Sequence, residues 1–233
     1  MRYDYCLQHD RMLEQPYQSG ARRPIASRER KVFQNFAHQL ALAGVSPNAI
    51  SIAGMVAGMA AGGCLGMTRF VQPYERLAWF GVAAFVQVRL LANMFDGMVA
   101  IETGKCSPLG ELYNEVPDRV SDTAILVGLG YASGSDVLLG YAAAGVAVLT
   151  AYIRAIGRIS GGNQEFCGPM AKPQRMFLVT LTALYCGATP PAWHPGFSLP
   201  TATLSVIIAG GLITAWRRLS RVVKTLKSRS PGE

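Results

Sequence analysis

Apolar residues dominate six windows of about 20 residues, at roughly 48–68, 77–101, 109–131, 136–156, 174–190 and 198–216, with polar or turn-forming residues between them. This pattern predicts an all-α, polytopic membrane protein with six transmembrane helices. The third window is interrupted by acids and the fifth is short. Ahead of them, the stretch 22–42 places Ile25, Val32, Phe33, Phe36 and Leu40 on one side of a helix and Arg22, Arg23, Arg28, Arg30 and Lys31 on others. That suits an amphipathic helix lying in the membrane interface, or a solvated basic tail. The expected division is an N-terminal tail over 1–21, a membrane domain over 22–219 and a basic cytoplasmic tail over 220–233. Both tails are expected to be superficial or poorly ordered. No short apolar core with a small-residue cleavage site opens the chain, so no secretory signal is expected.

Composition agrees with the hydropathy pattern: half of the 233 residues are hydrophobic and 15% are charged, against about 25% charged in ordinary soluble domains. Lysine and arginine set the orientation through the positive-inside rule. Seven lie within 1–47, four between Arg154 and Arg175 and six from Arg217 to Arg229, and Lys105 sits in the 102–108 loop. The 69–76 loop has two, and the loops near 132–136 and 188–197 have none. Both termini, the 102–108 loop and the Arg154 to Arg175 segment are therefore expected in the cytoplasm, with the protein in a bacterial cytoplasmic membrane. The net charge of +8 fits an anionic leaflet, and no basic run interleaved with aromatics points to nucleic acid.

The first span repeats glycine every four residues, at Gly54, Gly58, Gly62 and Gly66. Such a stripe admits a second helix at close range, either inside the protein or across a dimer seam. Ser46-Pro47-Asn48 just before it is a helix-entry signal. The five cysteines form no C-x2-C pair and the three histidines are scattered, which argues against a zinc site or a histidine-based triad.

The chemistry is concentrated in two polar clusters at membrane depth, where such side chains need a partner, water or an ion. Asn93, Asp96 and Gly97 follow one another at i, i+3, i+4, and Glu111, Asn114, Asp118 and Asp122 at i, i+3, i+7, i+11, so each set shares a helix face. Carboxylate and amide oxygens without Cys or His suit a hard cation such as Mg2+, Mn2+ or Ca2+. A diphosphate held through magnesium is the commonest use of so few carboxylates. Hydrogen bonding across the helix interface is the alternative.

These intervals resemble the CDP-alcohol phosphotransferase pattern D-x2-D-G-x2-A-R-x8-G-x3-D-x3-D. Here it reads Asn93, Asp96-Gly97, Ala100-Ile101, Gly110, Asn114 and Asp118, with every interval kept. Ser46-Pro47-Asn48 resembles the family's T-P-N entry, and Ser107-Pro-Leu-Gly110 its S-x-L-G. Tyr152-Ile-Arg154-Ala155, Gly168 and Lys172-Pro-Gln-Arg175 resemble its Y-x-R-A and G-x3-R-x2-R elements. Two motif aspartates are Asn93 and Asn114 here and the motif arginine is Ile101, so four formal negative charges become two. Glu102, Glu111, Glu115 and Asp122 are candidates to compensate, with Asp122 best placed by helical phase.

The resemblance implies displacement of CMP from a CDP-alcohol, most naturally CDP-diacylglycerol, by an alcohol acceptor, with Mg2+ or Mn2+ as cofactor and a homodimer as the assembly. It implies Asp118 as the base and Asn93, Asp96, Asn114, Asp118 and, by phase, Asp122 as metal ligands. Gly97, Ala100 and Gly110 become the small residues against which the nucleotide packs. Ser46, Asn48, Arg154, Lys172 and Arg175 become substrate contacts, with Arg154, Arg158, Lys172 and Arg175 alternatively ordinary positive-inside anchors. The competing function is a non-catalytic descendant that binds a nucleotide-lipid or a metal as a partner subunit. A carrier would require inverted repeats or broken helices, and neither is seen.

Overall fold

The computed structural model describes residues 30–71, 74–104, 108–160, 167–190 and 196–229. These residues form seven helices: α1 (Lys31–Leu42), α2 (Pro47–Met67), α3 (Glu75–Glu102), α4 (Pro108–Tyr131), α5 (Val137–Ile159), α6 (Lys172–Ala188) and α7 (Leu199–Arg229). The all-α expectation holds. The stretches α2, α3, α5 and Leu199–Ser228 of α7 are long and apolar enough to cross a membrane. The other two expected spans differ for the reasons visible in their residues. α4 carries Glu111, Glu115, Asp118, Arg119 and Asp122, and α6 has only 17 residues.

Local sequence accounts for the helix starts. Ser46 caps α2, its hydroxyl accepting from the Ala49 N–H at 3.2 Å, with Pro47 at the first helical position. Asp136 does the same for α5 by accepting from Leu139 N–H at 3.0 Å. Past the end of α3, Gly104 adopts φ +64°, a left-handed conformation that glycine enters without steric cost.

α2 packs against both α3 and α4, α4 and α7 pack against α5, and α6 lies on α3. The glycine stripe explains the tightest of these approaches. A Cβ on Gly54 would stand 2.9 Å from Ala92 Cβ on α3, and one on Gly62 would stand 2.8 Å from the Ala124 carbonyl carbon on α4. Gly58 meets Ser121 and Gly62 meets Gly128, so the stripe serves internal packing. The main core gathers Leu65, Trp79, Val82, Val86, Ile125, Leu129, Met176, Val179 and Ile207. A second cluster joins Ala37 of α1 to Met94, Phe95 and Val99 of α3. The Phe36 and Phe95 rings lie 4.8 Å apart, so α1 is docked on the end of α3 that bears the first polar cluster.

Residues 1–29 lie outside the described residues, and with them the 1–21 tail and the start of the expected amphipathic segment. At the other end the structure corrects the expectation. α7 runs through Leu219 without a break to Arg229, where a superficial tail was expected from 220. Val222 is buried and a Cβ on Gly157 would collide with its side chain, so the last turns of α7 are held by packing on α5.

Candidate active site

Four side chains of the motif converge on one cleft. Asn93 and Asp96 from α3 and Asn114 and Asp118 from α4 line it, with Ser51, Gly54 and Met55 of α2, Arg89 of α3 and Pro117 of α4. Pro117 inside α4 has no N–H, so the ladder bond to the carbonyl four residues back is missing beside the cleft. On α3 the residues Arg89, Asn93, Asp96, Gly97 and Ala100 form one stripe at helical spacing. Gly97, Ala100 and Gly110 are all half-buried.

The two carboxylates of the motif have different surroundings. Asp96 is 4% exposed. Its Oδ2 accepts from the Ser51 hydroxyl at 2.7 Å and its Oδ1 from the Gly97 backbone N–H. Asp118 is crossed by three donors. Asn93 Nδ2 reaches its Oδ1 at 3.0 Å and Arg89 Nη2 reaches the same oxygen at 3.2 Å, while Lys172 Nζ pairs with Oδ2. Asn93 also donates to Asn114 Oδ1 at 3.0 Å, and its own Oδ1 accepts from Lys172 at 3.0 Å. The two asparagines thus tie α3 to α4 directly.

Sequence reasoning misses Arg89, although an arginine inside an apolar span, four residues before Asn93, is itself a signal of a polar site. Its side chain is 1% exposed. Nε donates to Ser121 Oγ at 3.0 Å, and Nη2 serves the Asp118 backbone carbonyl, Asp118 Oδ1 and Asp122 Oδ1. Its Nη1 is buried without a partner among the described residues. Ser51 is missed too, and nothing in a helix of small residues distinguishes it.

Several expected site residues have partners outside the cleft. Asp122, expected as a metal ligand, gives one oxygen to Arg89 and the other to Arg175 Nη2 at 3.1 Å. With each oxygen ion-paired to a buried guanidinium, unlike Asp96, whose oxygens meet only neutral donors, it is the anion of a buried Arg–Asp–Arg bridge. Arg175, expected to touch substrate, is equally buried and completes that bridge, with Nη1 on the Met170 carbonyl at 3.2 Å. Arg154 pairs with Glu115 and Arg158 with Glu111 at 2.6 Å on the surface of α4 and α5. Glu102 faces His38 at 2.9 Å. The glutamates considered as replacement charges are therefore matched elsewhere, because each has a basic residue within reach on a neighbouring helix or turn. Ser46 spends its hydroxyl on the α2 cap, and Asn48 follows it, half-buried, in the first turn.

As a donor set, Asn93, Asp96, Asn114 and Asp118 offer only oxygens to a hard cation, from the two helices that wall one cleft. That chemistry fits a divalent ion. The fit is a weak one. Among the described residues no group of three or more His, Cys, Asp or Glu could hold a metal, because two of the four ligands are uncharged amides, and Lys172 already occupies Asp118.

No protein-family model matches the chain. Among curated proteins it is similar to phosphatidylinositol phosphate synthase of Mycobacteroides abscessus, 27% identical over 198 residues, covering 82% of this chain and 84% of that one. The same enzyme of Streptomyces avermitilis is 28% identical over 206 residues, covering 82% and 78%. Inner membrane protein YnbA of Escherichia coli is 26% identical over 121 residues, covering 52% and 60%. Among solved structures, Mycobacterium tuberculosis phosphatidylinositol phosphate synthase with CDP-DAG bound superposes with a TM-score of 0.68 at 22% identity, covering 83% of this chain and 94% of that one. The same protein with manganese and citrate gives 0.67 at 23%, covering 82% and 88%. The shared fold, the relatives and the motif kept interval for interval agree in what this chain is similar to, the phosphatidylinositol phosphate synthases.

Proposed function

We propose that this protein transfers a phosphatidyl group from CDP-diacylglycerol to an alcohol acceptor, releasing CMP, in phospholipid synthesis, with Mg2+ or Mn2+ as cofactor. The observation that carries the reading is the convergence of Asn93, Asp96, Asn114 and Asp118 on one cleft at the motif positions. It is supported by the likeness to synthases of this reaction class, one of them solved with CDP-DAG and with manganese. The functional unit is the membrane domain from residue 22 through the end of α7 at Arg229, spanning the membrane six times through α2 to α7 behind an interfacial α1. Both termini and the cleft are placed on the cytoplasmic side in this reading, which the lysine and arginine asymmetry supports.

The acceptor hydroxyl oxygen attacks the phosphatidyl phosphorus, the bond from phosphorus to the CMP oxygen breaks, and CMP leaves with the electron pair. Asp118 receives the hydroxyl proton. Ser51 and the Gly97 N–H orient the Asp96 carboxylate toward its ligand role. A divalent ion held by Asp96, Asn93, Asn114 and Asp118 would supply charge stabilisation to the diphosphate. Arg89, with its unused Nη1 in the wall of the cleft, adds a donor suited to a phosphate oxygen. Gly97, Ala100 and Gly110 leave room for the nucleotide. A homodimer is the assembly proposed.

Purified protein in detergent with CDP-diacylglycerol, Mn2+ and a panel of alcohols should release CMP. Asp118→Asn should abolish turnover with donor binding kept, while Asp96→Asn should lose metal-dependent donor binding as well. Full activity in both variants would remove these residues from the mechanism. The second reading, binding without turnover, is favoured by the two amides in the motif. It predicts CDP-diacylglycerol binding with no CMP released for any acceptor.

A further inference from the structure

The charges around the cleft balance without any added ion. Three carboxylates, Asp96, Asp118 and Asp122, are set among three cations, Arg89, Lys172 and Arg175, and all the pairs but Asp96 are made by direct contact. Aspartates at positions 93 and 114 would leave two negative charges in excess, the charge of one divalent cation. The asparagines remove that excess. Of the three cations Lys172 is the one that touches two of the motif side chains, its ammonium contacting Asn93 Oδ1 and Asp118 Oδ2 together. These are two of the four oxygen-bearing side chains available to a metal.

We infer that Lys172 is a resident, displaceable counter-ion of the metal site, so that a divalent cation gains Asn93 and Asp118 only by driving the ammonium out. An ammonium and a divalent ion cannot share one carboxylate oxygen at bonding distance, since like charges that close repel strongly in a poorly hydrated cleft. Lys172 stands at the first residue of α6, after Ala171, and its side chain is a flexible four-carbon stem with a point charge. It can leave Asp118 without moving the helix. Arg89 cannot, because Ser121, Asp118 and Asp122 hold its guanidinium on two sides. Metal entry is therefore coupled to a swing of Lys172, for which an incoming diphosphate is a natural new partner. This rests on the divalent-cation reading proposed above.

The test is Mn2+ binding to the purified protein in detergent, followed by loss of the free-ion paramagnetic resonance signal, together with melting temperatures in chelator and in excess Mn2+. Lys172→Met should bind Mn2+ at least about tenfold more tightly than the parent, whereas Lys172→Arg, which keeps the charge, should not. In chelator Lys172→Met should melt below the parent, because Asp118 loses one of its two cationic partners, and Mn2+ should close that gap. A purely structural lysine would leave the gap open in Mn2+. Equal or weaker Mn2+ binding by Lys172→Met overturns the displacement idea and leaves the divalent-cation reading standing. No Mn2+ binding by parent or variant overturns both.

Discussion

Replacing Asp122 by asparagine tests the largest reassignment, from metal ligand to the anion of a buried bridge. The side chains of Arg89, Asp122 and Arg175 are 1%, 3% and 3% exposed. The Asp122→Asn change keeps the size of the side chain and loses its charge, so two buried guanidinium groups would face each other across an amide. Arg89 would retain Asp118, but Arg175 would be left with the Met170 carbonyl as its other recorded acceptor. Breaking a buried pair by removing one partner costs about 3–5 kcal/mol, because the remaining charge is stranded. At about 2–4 °C per kcal/mol for a chain of this size, melting should fall by roughly 6–20 °C.

Arg89→Met should cost less than Asp122→Asn, since Asp118 keeps Lys172 and Asp122 keeps Arg175. The double variant should be less destabilised than the sum of the singles by about 1–3 kcal/mol. Melting of the detergent-solubilised protein, followed by intrinsic fluorescence in chelator, gives all three numbers. The reasoning is refuted if Asp122→Asn melts within a degree of the parent. It is equally refuted if that variant keeps its stability and loses Mn2+ affinity, for then Asp122 would be the ligand that helical phase first suggested.

Gly62→Val should destabilise by several kcal/mol or prevent folding, because its Cβ would run into the Ala124 backbone. Gly63→Ala, with open space around its Cβ, should be neutral or stabilising by up to about 1 kcal/mol through helix propensity; equal effects in a melting assay would contradict the packing of α2 on α4. Asn93→Asp with Asn114→Asp should lower stability in chelator, since four carboxylates would then line the cleft, and should raise Mn2+ affinity about tenfold or more. Unchanged melting and unchanged Mn2+ binding would mean that these side chains do not share a site. A reporter in the 102–108 loop should read cytoplasmic and one in the 188–197 loop periplasmic, and a periplasmic signal for the first would place the cleft on the wrong side of the membrane.

The helices were legible because hydropathy in a membrane chain is a one-dimensional signal: α2, α3 and α5 start within two residues of the windows read from sequence. The motif was legible because its spacing survives even where its charges do not. What could not be read was which acids and bases meet, since partners 29 to 54 residues apart, such as Arg89 with Asp118 or Lys172 with Asp118, are chosen by tertiary packing. Helical phase put Asp122 on the ligand stripe, and it does lie on that face of α4. Phase says nothing about depth, and one turn deeper the face meets Arg89 and Arg175 in place of the cleft. The end of α7 was misjudged for a similar reason. Its last turns are basic, but Val222 on their inner side has a glycine of α5 to pack against.

The asparagines are better understood as part of an exchange than as losses. Asn93 uses its Nδ2 to bridge Asn114 Oδ1 and Asp118 Oδ1, and an aspartate in its place has no hydrogen to give. With aspartates at 93 and 114, the same backbone would bring the carboxylates of residues 93, 114 and 118 together across the α3–α4 seam, an arrangement relieved by a cation or a shared proton between them. The amide makes the cross-link itself. Arg89 below it and Lys172 beside it then neutralise Asp118 and Asp122 from within the protein. A helix pair that would otherwise be joined through bound metal is thus joined by direct hydrogen bonds and ion pairs. The fold of the site is thereby freed from dependence on the ion proposed for its chemistry, which is why stability and metal affinity should respond separately to substitutions at Lys172 and at Asp122.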